Sequence, residues 1–300
     1  MPLRIPRPRI PEDLGMISRD PARLGRQLSA LVDVIARYLA QPFATPNPTP
    51  VIVLGNPKTG TTAIAALLAA YGDLSATLDL WPRLRRPETL AAVHDGSMPF
   101  AAFVDRFRAE FARDLIKDPH LTFVYPQLAA RFPDARFVVV VRDPRDTIRS
   151  ILNRLGLPGD LDELGPEHYR RMRPLWEAVI DSPWLDVGDG NYVERLARRW
   201  SLAARVALDH EDAVERIRFE DFLRDKPGAI AELAGRLRIE RRGEIERQVD
   251  RPFQPAGDRS VKWVDFFGPV NLAAIEKACE AESRALGYPP SPGPSGPARE

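Results

Sequence analysis

The chain reads as an α/β protein of three layers, a central parallel sheet with helices on both faces. Short apolar runs suited to interior strands, such as residues 51–54 and 137–141, alternate with stretches of helical periodicity, and that alternation favours parallel strands joined by helical crossovers. These segments spread over most of the 300 residues, and 44% hydrophobic content is enough for one substantial core. The expected organisation is an N-terminal helix and proline-rich linker over residues 1–49, one main domain over 50–288 and a mobile tail over 289–300.

Leu24, Leu28, Leu31, Ile35 and Leu39 are at helical spacing, and prolines between 42 and 50 follow. That helix is free to pack on the sheet or on a second subunit, which leaves a homodimer open. Val51, Ile52, Val53 and Leu54 predict a buried strand. Ile64, Leu67, Leu68 and Tyr71 then define one face of a helix. The loop between them, Gly-Asn-Pro-Lys-Thr-Gly-Thr-Thr over residues 55–62, therefore lies at a helix N-terminus. There unpaired N–H groups and the positive dipole end favour a phosphate, and Gly55 and Gly60 let the backbone approach it.

Gly72 should end that helix, and residues 74–80 suit a second extended segment carrying Asp79. Phe100, Phe103, Phe107 and Phe111 recur at three- and four-residue spacing, as on a helix face in the core; walling a ligand pocket is their second reading. Residues 115–120 read as a short strand with a polar tip, followed by a helix through Arg131. Ligands of open parallel sheets sit beyond the carboxyl ends of strands, which puts Lys117, Asp118 and His120 near Lys58 and Arg142. After the strand over 137–141, Asp143 suits an N-cap and Pro144 the first helical position. An amphipathic helix is expected over 191–210, then a strand end and short helix over 216–222, then a helix over 227–238.

The glycine loop departs from a Walker A motif at an informative place. Thr61 stands where that motif has its lysine, and the lysine lies inside the loop, at Lys58. The residues Pro57, Lys58, Thr59, Gly60, Thr61 and Thr62 instead resemble the 5′-phosphosulfate loop of the sulfotransferases that use 3′-phosphoadenosine 5′-phosphosulfate (PAPS). Arg142 and Ser150, eight residues apart after a strand, resemble the same family's 3′-phosphate motif, and a planar guanidinium suits two parallel bonds to phosphate oxygens. The stretch around Arg216 to Phe222 resembles a family element that supports the fold. Residues 257–263 resemble the loop that closes over the 3′ phosphate, with Arg259 and Lys262 as candidates, although the family's Arg-x-Gly pattern is absent. Gly287 and Tyr288 resemble the end of the last helix. The resemblance covers about residues 50–288 and implies a P-loop-like nucleotide-binding fold.

The resemblance also implies a reaction: in-line transfer of a sulfuryl group from PAPS to a hydroxyl or amine, with Lys58 on the leaving oxygen and Thr61 and Thr62 on the 5′ phosphate. Only five of the 43 basic residues are lysines, so Lys58 in this loop stands out against a strong arginine bias. Lys117 belongs to the expected catalytic group. Two residues compete for the role of base. His120 precedes Arg142 by twenty-two residues and offers a neutral imidazole; Asp79 follows Lys58 by twenty-one, where some family members place a glutamate. His120 is placed first because it needs no tuning. No carboxylate cluster or His/Cys spacing argues for a metal.

An ATP-dependent phosphotransferase and a non-catalytic nucleotide-binding protein are the competing readings. Net charge of +1 gives no general reason to expect nucleic acid as a partner, and the acceptor is left as a small molecule, carbohydrate or peptide. Cys279 is the single cysteine, and no apolar run suggests a signal peptide or membrane span, so a reducing, cytoplasmic setting is expected.

Overall fold

Val51–Gly55 (β1), Ala76–Thr77 (β2), Leu115–Lys117 (β3), Arg136–Val141 (β4) and Val214–Arg218 (β5) form one sheet in the order β2-β3-β1-β4-β5. Every neighbouring pair is parallel. The structure, a computed structural model, describes residues 39–80, 87–170, 172–250 and 261–291. The N-terminal helix expected before residue 39, Arg259 and the last nine residues lie outside these. Pro289 and Ser291 accept hydrogen bonds from the Arg145 guanidinium, and the Ser291 amide donates to Glu276.

Side chains of a strand alternate between faces, and here both faces are covered, so β1 and β4 are apolar almost throughout. Ile52, Leu54, Val139 and Val141 point into one core, packed by Ile148, Ile151, Leu196, Trp200, Phe267 and Ile275. These come from the helices Pro144–Leu155, Tyr192–Asp209 and Trp263–Ala278. Val51, Val53, Val138 and Val140 point the other way, onto Ile64, Leu67, Leu68, Ile230 and Leu233 of the helices Thr61–Gly72 and Lys226–Arg236. The result is the three-layer arrangement that the alternation of elements predicts.

Several elements differ in detail from the sequence reading. The extended segment expected over 74–80 pairs only at Ala76 and Thr77, leaving Asp79 just beyond the end of β2. The phenylalanine face is split at Phe107, whose φ of −122° separates the helices Phe100–Arg106 and Arg108–Phe111. All four rings are buried against one another and against Phe132. They serve the core and line no part of the cavity described below. The helix expected after β3 starts as a 3-10 helix, Pro119–Val124, before the α-helix Tyr125–Arg131.

The chain passes from β1 to β2 and β3 on one side, then crosses back to β4 on the other. A crevice opens at the carboxyl end of a sheet where the strand order reverses in this way. Gly55 pairs with Val140, so the loop after β1 and the segment after β4 leave the same edge side by side.

Candidate active site

Glycine shapes the loop after β1 at two points. Gly55 has φ +145°, and a Cβ there would meet the Val140 carbonyl at 2.6 Å; Gly60 has φ +97°, and a Cβ would lie 2.2 Å from the Phe219 ring. Lys58 itself adopts φ +71°, a left-handed conformation that costs a non-glycine residue about 1–2 kcal/mol. Such strain persists where the surroundings over-determine it, and here it sits at the residue the loop displays. Thr59 closes the turn by donating to the Asn56 carbonyl. The Thr61–Gly72 helix begins with no side-chain cap and no acidic residue in its first turn. Its N-terminus is arranged for an anion.

Arg142 emerges from β4 directly against this loop. Its Nη1 donates to the Lys58 carbonyl at 2.9 Å, its guanidinium lies 4.9 Å from the centre of the Phe219 ring, and its own carbonyl accepts from the Trp200 indole at 2.9 Å. Asp143 caps the following helix as expected, with its carboxylate accepting from the Arg145 amide and Pro144 in the first turn. Glu220 then binds three predicted pieces together: one carboxylate oxygen accepts from the Asp143 amide and the other from the Tyr288 hydroxyl, each at 3.0 Å. Ser150 is half-buried two turns along the same helix. Lys262 is exposed at the start of the Trp263–Ala278 helix. That start is fastened to the Arg142 helix by Arg149 donating to the Val261 carbonyl and by the Trp263 indole donating to Asp146.

A cavity of about 530 Å³ adjoins the loop and brings together Lys58, Thr61, Thr62, Asp79, Lys117 and His120. Thr122 fixes the local frame, donating to the Gly55 carbonyl and accepting from the Gly55 amide. The Asp118 carboxylate accepts from the amides of His120 and Leu80, tying the end of β3 to the segment that carries Asp79. The buried Lys117 ammonium donates to Asp79 at 2.8 Å. Sequence spacing missed other residues of the cavity wall, among them Arg154, His168, Arg173 and Trp176. Arg154 lies in the last turn of the helix Pro144–Leu155, and the others fall on or beside the short helices Pro166–Tyr169 and Pro174–Ile180, too short to show a periodicity.

Electrostatics separates the two candidate bases. Burial pushes the Asp79 carboxyl up to about 6 against the opposing pull of Lys117, although 40% of its side chain faces the cavity. His120 is pushed down to about 3 by burial, then by Arg199 and Lys117, which makes it a weak proton acceptor. Lys58 is lowered to about 8, first by burial and then by Arg154, Arg142 and Lys117. Like charges thus converge on the loop, an arrangement that an anionic ligand relieves. Among the described residues no group of three or more His, Cys, Asp or Glu side chains could hold a metal ion, and no helix is long and apolar enough to cross a membrane.

A family described as the sulfotransferase domain matches residues 50–217, more than half the chain. The chain belongs to the sulfotransferase family. No curated protein matches it. Among solved structures, this sulfotransferase is similar to the sulfotransferase domain from the curacin biosynthetic pathway, at 14% identity and TM-score 0.46, with 82% of this chain and 99% of that one covered. It is also similar to a mouse sulfotransferase complexed with PAP, at 14% identity and TM-score 0.47, covering 82% and 88%. A sulfotransferase from Mycobacterium tuberculosis gives 14% and 0.47, covering 86% and 82%. Likenesses this distant carry no weight for the site; membership rests on the family match.

Proposed function

We propose that this sulfotransferase uses PAPS as donor and transfers its sulfuryl group to the hydroxyl or amine of a small-molecule, carbohydrate or peptide acceptor. The observation that carries this reading is the contact between Arg142 and Lys58 beside an uncapped helix N-terminus. One cation is thereby offered to each end of a nucleotide bearing phosphates at both its 3′ and 5′ positions. In the reading Arg142 and Ser150 take the 3′ phosphate, with Lys262 and Arg259 over it. Pro57, Thr59 and Gly60 shape the loop, while Thr61, Thr62 and the loop amides take the 5′ phosphate.

PAPS supplies the sulfuryl group: the acceptor oxygen–sulfur bond forms as the sulfur–oxygen bond to phosphate breaks, with that electron pair left on the phosphate. Lys58 neutralises the charge that grows on the departing oxygen. Asp79 takes the acceptor's proton, since a carboxylate held near 6 is ionised at neutral pH and is a far better base than an imidazole held near 3. Lys117 holds Asp79 in place, and His120 is left to orient the acceptor. A cytoplasmic location and a homodimer through the N-terminal segment remain parts of the proposal; the buried thiol of Cys279 supports a reducing setting.

Calorimetry with adenosine 3′,5′-bisphosphate in the absence of metal tests the donor. Binding of the bisphosphate, with no binding of ATP that depends on magnesium, is the expected result, and the reverse would sink the proposal in favour of a phosphotransferase. Mass spectrometry for products heavier by one SO₃ group then tests the transfer itself.

A further inference from the structure

The cations that line the cavity differ in how they are occupied. The Lys117 ammonium donates to Asp79 at 2.8 Å, and Lys58 and Arg173 also have partners. Arg154 is exposed and has neither a hydrogen bond nor an ion pair among the described residues. It stands in the last turn of Pro144–Leu155, and the carboxylates of that helix are used elsewhere: Asp143 pairs with Arg145, and Asp146 with Arg149. The helix starts just after Arg142, which donates to the Lys58 carbonyl. Ser150 and Arg154, four residues apart, share a face of it about 6 Å apart along the axis.

The negative end of the helix favours a cation in its last turn, which accounts for a basic residue at position 154. It does not account for where that charge acts. Among the charges that lower Lys58, Arg154 comes first, ahead of Arg142, which touches the same loop. Two cations lining one cavity repel each other, a cost that an anion shared between them removes. A phosphosulfate is such an anion, and its parts ask for different partners. Lys58 is assigned to the oxygen that leaves with the phosphate, which gives the outer oxygens on sulfur no partner. We propose that Arg154 binds the sulfuryl group of the donor, its guanidinium donating to the outer sulfur-bound oxygens while Lys58 serves the oxygen that leaves. A planar fork making two parallel bonds fixes the direction of the sulfur–oxygen bond as well as its place, and in-line attack depends on both. Bond making and breaking are unchanged, and the guanidinium neither gives nor takes a proton. This inference rests on the donor assignment above and adds to it a residue that reads the group by which PAPS differs from the bisphosphate.

The test needs no acceptor. Calorimetry without metal measures the binding of PAPS and of adenosine 3′,5′-bisphosphate to the full chain and to its Arg154→Gln variant, a substitution at an exposed side chain that the fold should tolerate. PAPS affinity is expected to fall about tenfold or more, as the loss of charge-assisted bonds implies, while bisphosphate affinity stays within about twofold of the wild type. Arg154→Lys keeps the charge without the fork and should recover part of the loss. An equal loss for both ligands overturns the inference, since Arg154 would then grip a phosphate. No loss for either ligand overturns it as well, because Arg154 would then have no part in holding the donor. A wild-type chain that binds neither ligand refutes the donor assignment and this inference with it, and that outcome is told apart from the other two because it shows before any substitution is made.

Discussion

At the scale of single residues, the site is a problem in placing protons. In the proposed mechanism Asp79 must be ionised to accept one and Lys58 must be protonated to stabilise the leaving oxygen. Activity therefore falls as pH drops through about 6, where Asp79 takes up a proton, and falls again as pH rises through about 8, where Lys58 gives one up. A pH profile of kcat/KM on the free enzyme should be a bell with those limbs. A low-pH limb near 3 would instead identify His120 as the base. Donor binding brings negative charge next to Lys58, so the upper limb of the kcat profile should move to higher pH. Asp79→Asn should lower kcat by about 10²–10⁴-fold, the usual worth of a general base. Lys58→Ala should lower it by about 10²–10³-fold, the cost of one lost charge-stabilising donor. Near-normal turnover in either variant removes that residue from the mechanism. His120 and Asp79 were both legible as candidates from spacing, but their surroundings were not: His120 is pushed down first by burial and then by Arg199 and Lys117, and neither its packing nor the nearness of Arg199 leaves a pattern in the sequence.

At the scale of elements, the two segments proposed to bind phosphate are one mechanical unit. The Phe219 ring lies against the space where a Cβ on Gly60 would go and also beneath the Arg142 guanidinium. Gly60→Ala would thus both strain a left-handed backbone position and push the ring toward Arg142. The expected outcome is weakened bisphosphate binding in calorimetry, and unchanged affinity would show that the ring and loop are not coupled. The Tyr192–Asp209 helix supports Arg142 from the other side, and its start is held by a capping box in which Asn191 and Glu194 bond reciprocally with backbone amides. Asn191→Ala should lower stability to chemical denaturation by about 0.5–2 kcal/mol, as loss of a cap usually does. Strand–loop–helix order, the Asp143 cap and this helix could all be read from local signals. The interruption of the phenylalanine helix at Phe107 could not, because the rings satisfy a core on either side of the break and leave the apolar spacing unchanged.

For the whole molecule, ligand binding should register as global stability, since the crevice is built from both halves of the sheet. With adenosine 3′,5′-bisphosphate at 100 times its dissociation constant, stabilisation of about 2.7 kcal/mol is expected, visible as a raised Tm without added metal. No rise under those conditions would count against the donor. The amino-acid sequence by itself determined the α/β class, the glycine loop with Lys58, and Arg142 at the start of a capped helix. Each is encoded within one or two turns of chain, by glycine, by capping or by the period of apolar residues. Tertiary structure alone decided that Asp79 meets Lys117, that Glu220 joins Asp143 to Tyr288, and that Arg154 and Arg173 line the same cavity as Lys58 and Asp79. Those contacts span segments far apart in the chain and depend on strand order and side-chain packing, which leave no periodic trace in the residues that make them.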